Sequence, residues 1–143
     1  MSRKVNIRNA TINDVATITN LNVQLGYSAS CSQVQEWLSD ILASSNHCIL
    51  VAENGETVVG WLVIEKRLSL ETGYKAEITG LVVSENFRRF GIARLLVETA
   101  GHWAVSKHLS RIVVRSNITR LESHHFYLKQ DFIFVKTSHQ YEK

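Results

Sequence analysis

The run Ile78-Thr79-Gly80-Leu81-Val82-Val83 is an apolar strand that stops at Ser84-Glu85-Asn86-Phe87. Arg88-Arg89-Phe90-Gly91 then opens the amphipathic stretch Ile92-Ala93-Arg94-Leu95-Leu96. A strand passing through a short polar turn into a long helix constrains the fold, because the helix must return its apolar stripe to the sheet. It also constrains the ligand. The first N–H groups of a helix lack intrahelical acceptors, and the helix dipole adds partial positive charge beside them. Gly91 has no side chain to hold a ligand off those amides, Ala93 is nearly as small, and Arg88 and Arg89 add full charges. A pyrophosphate fits such a turn. The spacing is neither the dinucleotide pattern G-x-G-x-x-G nor the P-loop pattern G-x-x-x-x-G-K-S/T.

The chain has 143 residues, 45% hydrophobic and 20% charged, as expected of a single globular domain spanning 1–143. No apolar run approaches a membrane span, and Met1-Ser2-Arg3-Lys4-Val5-Asn6 lacks a signal-peptide core. The expected setting is the cytoplasm. A net charge of +3 is dispersed along the chain, so no nucleic-acid stripe forms, and the local cluster Arg88, Arg89 and Arg94 suits a small polyanion better. Cys31 and Cys48, the only cysteines, read as free thiols. No metal is expected: neither C-x-x-C nor H-E-x-x-H occurs, and the adjacent His124-His125 would diverge by about 100° on a helix.

Periodicity orders the elements. Val5–Arg8 alternates as a strand. Thr11 and Asn13 are N-cap candidates for a helix carrying Val15, Ile18, Leu21 and Leu25 and ending at Gly26. Ser32-Gln33-Val34-Gln35 has capping-box form, and Val34, Trp37, Leu38, Ile41 and Leu42 form an apolar helical stripe. Cys48–Ala52, the Asn54-Gly55 turn and Val58–Ile64 predict a hairpin, followed by a loop over 67–73 and a strand over 76–83. The helix from Ile92 presents Leu95, Leu96, Thr99, Ala100 and Trp103 on one side. Residues 111–115 read as a buried strand, 119–130 as a helix and 132–136 as a final strand. The order β-α-α-β-β-β-α-β-α-β makes this an α/β (α+β) domain with a mixed sheet and helices on both faces.

Arg88-x-x-Gly91-x-Ala93 resembles the acetyl-CoA signature Arg/Gln-x-x-Gly-x-Gly/Ala of the Gcn5-related N-acetyltransferases. A second segment, Asn117-Ile118-Thr119-Arg120 through Phe126-Tyr127 to Asp131-Phe132, is similar to that family's N-x-x-R-x-x-A-x-x-F-Y-x-x-x-G-F/Y. Asn117, Arg120, Phe126, Tyr127 and Phe132 match in register, and the element order agrees across essentially the whole chain. Two positions depart: Ser123 replaces Ala, and Asp131 replaces the Gly that ends the helix. Asp is among the few non-glycines that tolerate a left-handed backbone, at about 1 kcal/mol.

The resemblance implies a splayed central sheet and an acetyl-CoA-dependent transfer to a primary amine, by direct attack in a ternary complex. It implies that the pantetheine arm lies between the fourth and fifth strands against the main chain of Leu81, Val82 and Val83, with the Leu81 N–H as oxyanion donor. The pyrophosphate then rests on Arg88, Arg89, Phe90, Gly91, Ile92, Ala93 and Arg94, and Asn117 bonds the pantetheine. Tyr127 is the candidate general acid. A phenol of pKa about 10 keeps its proton at neutral pH yet can give it to a thiolate. Glu77 is the candidate base, on the same side of its strand as Thr79 if alternation is simple; a bulge near Gly80 would change that count beyond it. Ordered water is the alternative base. Tyr27, Glu77 and Thr79 are the candidate acceptor contacts, with Trp61 and the loop near Tyr74 as further walls.

The short chain looks most like the small-molecule members, such as aminoglycoside or aminoalkylphosphonate acetyltransferases, and many relatives form homodimers. The lack of a strong acidic cluster in the presumed pocket argues against a polycationic acceptor. A protein N-acetyltransferase and a non-catalytic acyl-CoA-binding module are the alternatives; the second needs neither Glu77 nor Tyr127.

Overall fold

The structure, a computed structural model, describes residues 4–116 and 121–143. Its elements run β1 (Val5–Asn9), a 3-10 turn (Ile12–Asp14), α1 (Val15–Gln24), α2 (Cys31–Ala43), β2 (His47–Asn54) and β3 (Thr57–Ser69). There follow β4 (Gly73–Val83), a second 3-10 turn (Glu85–Phe87), α3 (Ile92–Ser106), β5 (Ile112–Val114) and α4 (Leu121–Lys129). The strands form one sheet in chain order, antiparallel from β1 to β4 and parallel between β4 and β5. The α/β class and the mixed sheet therefore hold. Among the described residues no helix is long and apolar enough to cross a membrane.

Alternation along the central strands sends side chains to two cores. Leu50, Leu62, Ile64, Ala76 and Ile78 pack with Ile92, Leu96 and Ala100 of α3, and Phe126 of α4 joins that face. Ile49, Val51, Val63 and Val82 pack against Ile18 and Leu21 of α1 and Val34 and Leu38 of α2 on the other. At the rim, Arg8 grips Asp14 through its two terminal guanidinium nitrogens at 2.8 and 2.9 Å and reaches Glu53 through Nε at 2.9 Å. The Arg8 guanidinium, helped by the Thr11 N–H, holds the buried Asp14 carboxyl below the usual carboxylate range against the opposing cost of desolvation.

Several local expectations are corrected. The capping box of α2 belongs to Ser30, whose hydroxyl accepts the Gln33 N–H at 3.2 Å while Gln33 accepts the Ser30 N–H at 2.9 Å, so the helix starts earlier than Ser32. β3 and β4 run on to Ser69 and back from Gly73, so the expected loop over 67–73 is mostly hairpin. The strand at 111–115 is shorter, Ile112–Val114, and half-buried rather than buried. Residues 132–136 form no strand. Their side chains favour β structure, but a strand persists only beside a partner edge, and this segment pairs with none of the described strands. The expected helix over 119–130 appears as α4, and its first two residues lie outside the described residues.

Candidate active site

The site is organised by one irregularity in β4. Ile78 pairs with Ile64 and Gly80 pairs with Val63, which leaves Thr79 as the extra residue of a β-bulge. Pairing with β5 ends at the same level, where Ile78 faces Val114. β4 continues to Val83 without a β5 neighbour. The two parallel strands part there, and the main chain from Thr79 onward borders a cleft of about 1200 Å³.

Each wall of the cleft has a local cause. Gly26, at φ 89°, turns the chain out of α1 and carries Tyr27, Ser28 and Ala29 to the rim. Trp61 donates its indole N–H to Asn22 Oδ1 at 3.0 Å, which fixes the ring over Gly80. Leu81 lines the cleft, as do Val114 at the end of β5 and Arg115 and Ser116 just after it. Tyr127 projects from α4, its ring edge-to-face with Phe126 at 5.2 Å and Phe132 at 5.6 Å. The end of α4 folds back as its sequence requires: Asp131 is left-handed at φ 68°, and the Phe132 N–H bonds the Tyr127 carbonyl at 3.1 Å.

The turn after β4 is open. Ser84 donates to the Val59 carbonyl at 2.8 Å, and the Glu85 N–H bonds Gln24 Oε1 at 3.1 Å, pinning the start of the turn to α1. Arg88 is extended, Arg89 is left-handed at φ 69°, and Gly91 at φ 77° is the N-cap of α3 with no side-chain cap. Arg88, Arg89, Phe90 and Gly91 are exposed, Ala93 is half-buried, and Ile92 anchors the helix in the core. Among the described residues, no atom outside the adjoining ones lies within 4 Å of where a Gly91 Cβ would stand. Such a turn presents amides to an anion. Arg94 lies 3.9 Å from Glu98 one helical turn on.

Tyr127, Thr79, Leu81, Val82 and Tyr27 thus share one cleft. Glu77 does not line it. Its side chain is buried, with the residue 6% exposed, and sits across from Glu65 with Arg67 Nε 3.9 Å from its Oε1, an oxygen that has no hydrogen-bond partner among the described residues. The bulge separates Glu77 from Thr79 by making Thr79 the residue that breaks alternation. Asn117 falls outside the described residues. The sequence reading did not assign Trp37, Arg115, Ser116, Ser123 or the stretch Thr137–Gln140 to the site, yet all of them line the cleft. Trp37 is 52% exposed; its spacing marks a helix stripe, and such a stripe is the same whether it faces a core or a cavity. Among the described residues, no three His, Cys, Asp or Glu side chains converge as a metal site.

A family model for the acetyltransferase (GNAT) family matches residues 14–132, which include the bulged strand, the open turn and Tyr127. The chain belongs to that family. Solved structures agree on the fold of this acetyltransferase. An aminoglycoside 6'-N-acetyltransferase, AAC(6')-IG from Acinetobacter haemolyticus, is 20% identical with a TM-score of 0.85, covering 96% of this chain and 97% of its own. AAC(6')-Iy, described in complex with CoA, is 16% identical with a TM-score of 0.91, covering 100% of this chain and 97% of its own. A soil-metagenome aminoglycoside acetyltransferase in complex with sisomicin is 19% identical with a TM-score of 0.80, covering 97% of this chain and 95% of its own. A search of curated protein sequences returns no match.

Proposed function

We propose that this acetyltransferase moves the acetyl group of acetyl-CoA to a primary amine of a small molecule, both substrates being bound together. The observation that carries the reading is the parting of β4 and β5 at the Thr79 bulge, which opens the main chain of one strand toward Tyr127. The pantetheine arm extends along Leu81–Val83, with the Leu81 N–H aimed at the carbonyl oxygen of the thioester. Arg88, Arg89, Phe90, Gly91, Ile92, Ala93 and Arg94 receive the pyrophosphate, and Asn117 bonds the arm. CoA in the similar AAC(6')-Iy structure supports the choice of co-substrate.

The chemistry balances without a further reactant. The amine nitrogen forms the amide bond and the thioester C–S bond breaks. Of the two protons the ammonium gives up, one leaves to solvent and the other is matched by the proton Tyr127 delivers to the CoA thiolate. An alkyl amine of pKa about 10.4 is almost wholly protonated at pH 7, so a base assists. Glu77 serves as that base through water, and Thr79 and Tyr27 contact the acceptor. Removal of the proton by cleft water alone is the second reading, favoured by the seclusion of Glu77 beside Arg67.

A calorimetric titration with acetyl-CoA tests the reading. A one-to-one micromolar complex is expected, and no binding up to millimolar concentration would refute it. A non-catalytic acyl-CoA-binding module would bind alike but release no thiol with any amine, and a protein N-acetyltransferase would prefer peptides to free amines.

Two further assignments rest on the same chain. Cys31 and Cys48 are both unpaired, which supports a reducing, cytoplasmic setting. Ile133, Phe134 and Val135 are 81%, 75% and 76% exposed in succession, an apolar run that supports a homodimer burying it. Sedimentation equilibrium showing a monomer at micromolar concentration would refute the dimer.

A further inference from the structure

The walls of the cleft specify more than an amine. Tyr27, Trp37 and Trp61 line it with aromatic surface, and Tyr27 and Trp37 are both more than half exposed. Such rings bind flat apolar bodies by stacking and edge contacts. The charge on the wall is positive. Arg115 is exposed there, and no ion pair joins it to the described residues. Among the described residues lining the cleft none is Asp or Glu. Three carboxylates adjoin lining residues in sequence, Glu36, Glu77 and Glu122, and none of them lines the cleft; Glu77 lies 3.9 Å from Arg67 instead.

We propose that the acceptor is an aromatic monoamine that also carries a carboxylate, of the aromatic α-amino acid class, and is not a polyamine. The ring lies against Trp61, Trp37 and Tyr27, the carboxylate pairs with Arg115, and the amine points to the thioester above Leu81. A guanidinium accepts a carboxylate in paired, charge-assisted hydrogen bonds, which fixes both position and orientation. A polycationic sugar meets the opposite situation: its ammonium groups lose water, gain no counter-charge from this wall and are repelled by Arg115. The similar structures described as aminoglycoside acetyltransferases share the fold at 16–20% identity, and fold does not carry specificity. This proposal rests on the acetyl-CoA reading and narrows its acceptor.

The test compares thiol release with acetyl-CoA and L-phenylalanine, 2-phenylethylamine or kanamycin A, after acetyl-CoA binding has been established by calorimetry in the same preparation. The expected kcat/KM for L-phenylalanine exceeds that for 2-phenylethylamine by about 10-fold and that for kanamycin A by roughly 100-fold. Arg115→Glu is expected to reverse the order of the first two. Should that variant fail to fold by its circular dichroism melt, Arg115→Gln is expected to erase the preference. Kanamycin A at or above L-phenylalanine would overturn the proposal, as would an unchanged order in a folded Arg115 variant. No release from either aromatic amine, with acetyl-CoA still bound, would overturn it while leaving the co-substrate reading intact. Absence of acetyl-CoA binding would take down both.

Discussion

The indole of Trp61 lies so close to the Cα of Gly80 that a Cβ there would stand 2.5 and 2.6 Å from ring carbons Cζ3 and Cη2. The ring cannot retreat without breaking its 3.0 Å bond to Asn22. Gly80→Ala therefore pushes the indole into the cleft. The expected result is a loss of about 1–3 kcal/mol of stability and a kcat/KM that falls more than acetyl-CoA affinity, because the ring moves into the acceptor side. Urea unfolding and steady-state kinetics check this together. A variant equal to the parent in both would show that the contact is slack.

Tyr127 is held by Phe126 and Phe132, so removing its hydroxyl leaves the ring packing in place. Tyr127→Phe is expected to lower kcat by roughly 100-fold with acetyl-CoA affinity retained. Calorimetry and thiol release on the same sample separate the two. Unchanged turnover would remove Tyr127 from the chemistry and leave it a packing residue.

Glu77 offers a pH test of base catalysis. If it removes the ammonium proton through water, Glu77→Gln costs kcat/KM at pH 7, and the deficit closes toward pH 10 as the free amine becomes neutral without help. A deficit that stays constant with pH would assign Glu77 a packing role beside Arg67. No deficit at pH 7 would hand the base role to water.

These tests bear on positions that differ in how readily the sequence discloses them. The strand-to-helix junction was legible because the apolar run stops before Ser84 and the amphipathic stripe begins at Ile92, where β4 ends and α3 starts. Asp131 was legible for a different reason: a helix end that needs a left-handed residue accepts few types, and Asp131 is left-handed at φ 68°. The side on which Glu77 lies was not legible. It depends on whether Val63 pairs with Thr79 or Gly80, and that register is set by packing on both faces of the sheet rather than by β4 itself. The stripe that carries Trp37 was legible as a helix, but not that Trp37 meets a cavity, because Val34 three residues before it and Ile41 four after it are apolar in either case. The segment at 132–136 has strand composition, yet composition cannot supply the neighbouring edge a strand needs.

Gly91 separates backbone strain from space. With no atom of the described residues outside the adjoining ones within 4 Å of an added Cβ, Gly91→Ala meets no clash among them, and its stability cost is the left-handed conformation alone, about 1 kcal/mol. A methyl group on the turn still holds an anion away from the amides of α3. Acetyl-CoA affinity is expected to fall by roughly 10-fold, and the drop is read by calorimetry. A variant that loses stability but binds acetyl-CoA as well as the parent would place the pyrophosphate elsewhere.

Asp14 gives the acid limb of the stability curve. Its carboxyl sits below the usual carboxylate range, chiefly through the Arg8 guanidinium, and Arg8 stays charged throughout because the same pair raises its own already high value. A depressed folded-state value means the pair stabilises fully above the unfolded value of about 3.9. That stabilisation is lost as pH falls through the folded value. Asp14→Asn is therefore expected to be about 3 kcal/mol less stable than the parent at pH 7, with the gap closing as the parent is acidified below about pH 4. Urea midpoints at pH 7 and pH 3 measure it. A gap that persists unchanged in acid would mean that Asp14 acts through its Thr11 capping bond, which an amide oxygen partly replaces, rather than through charge.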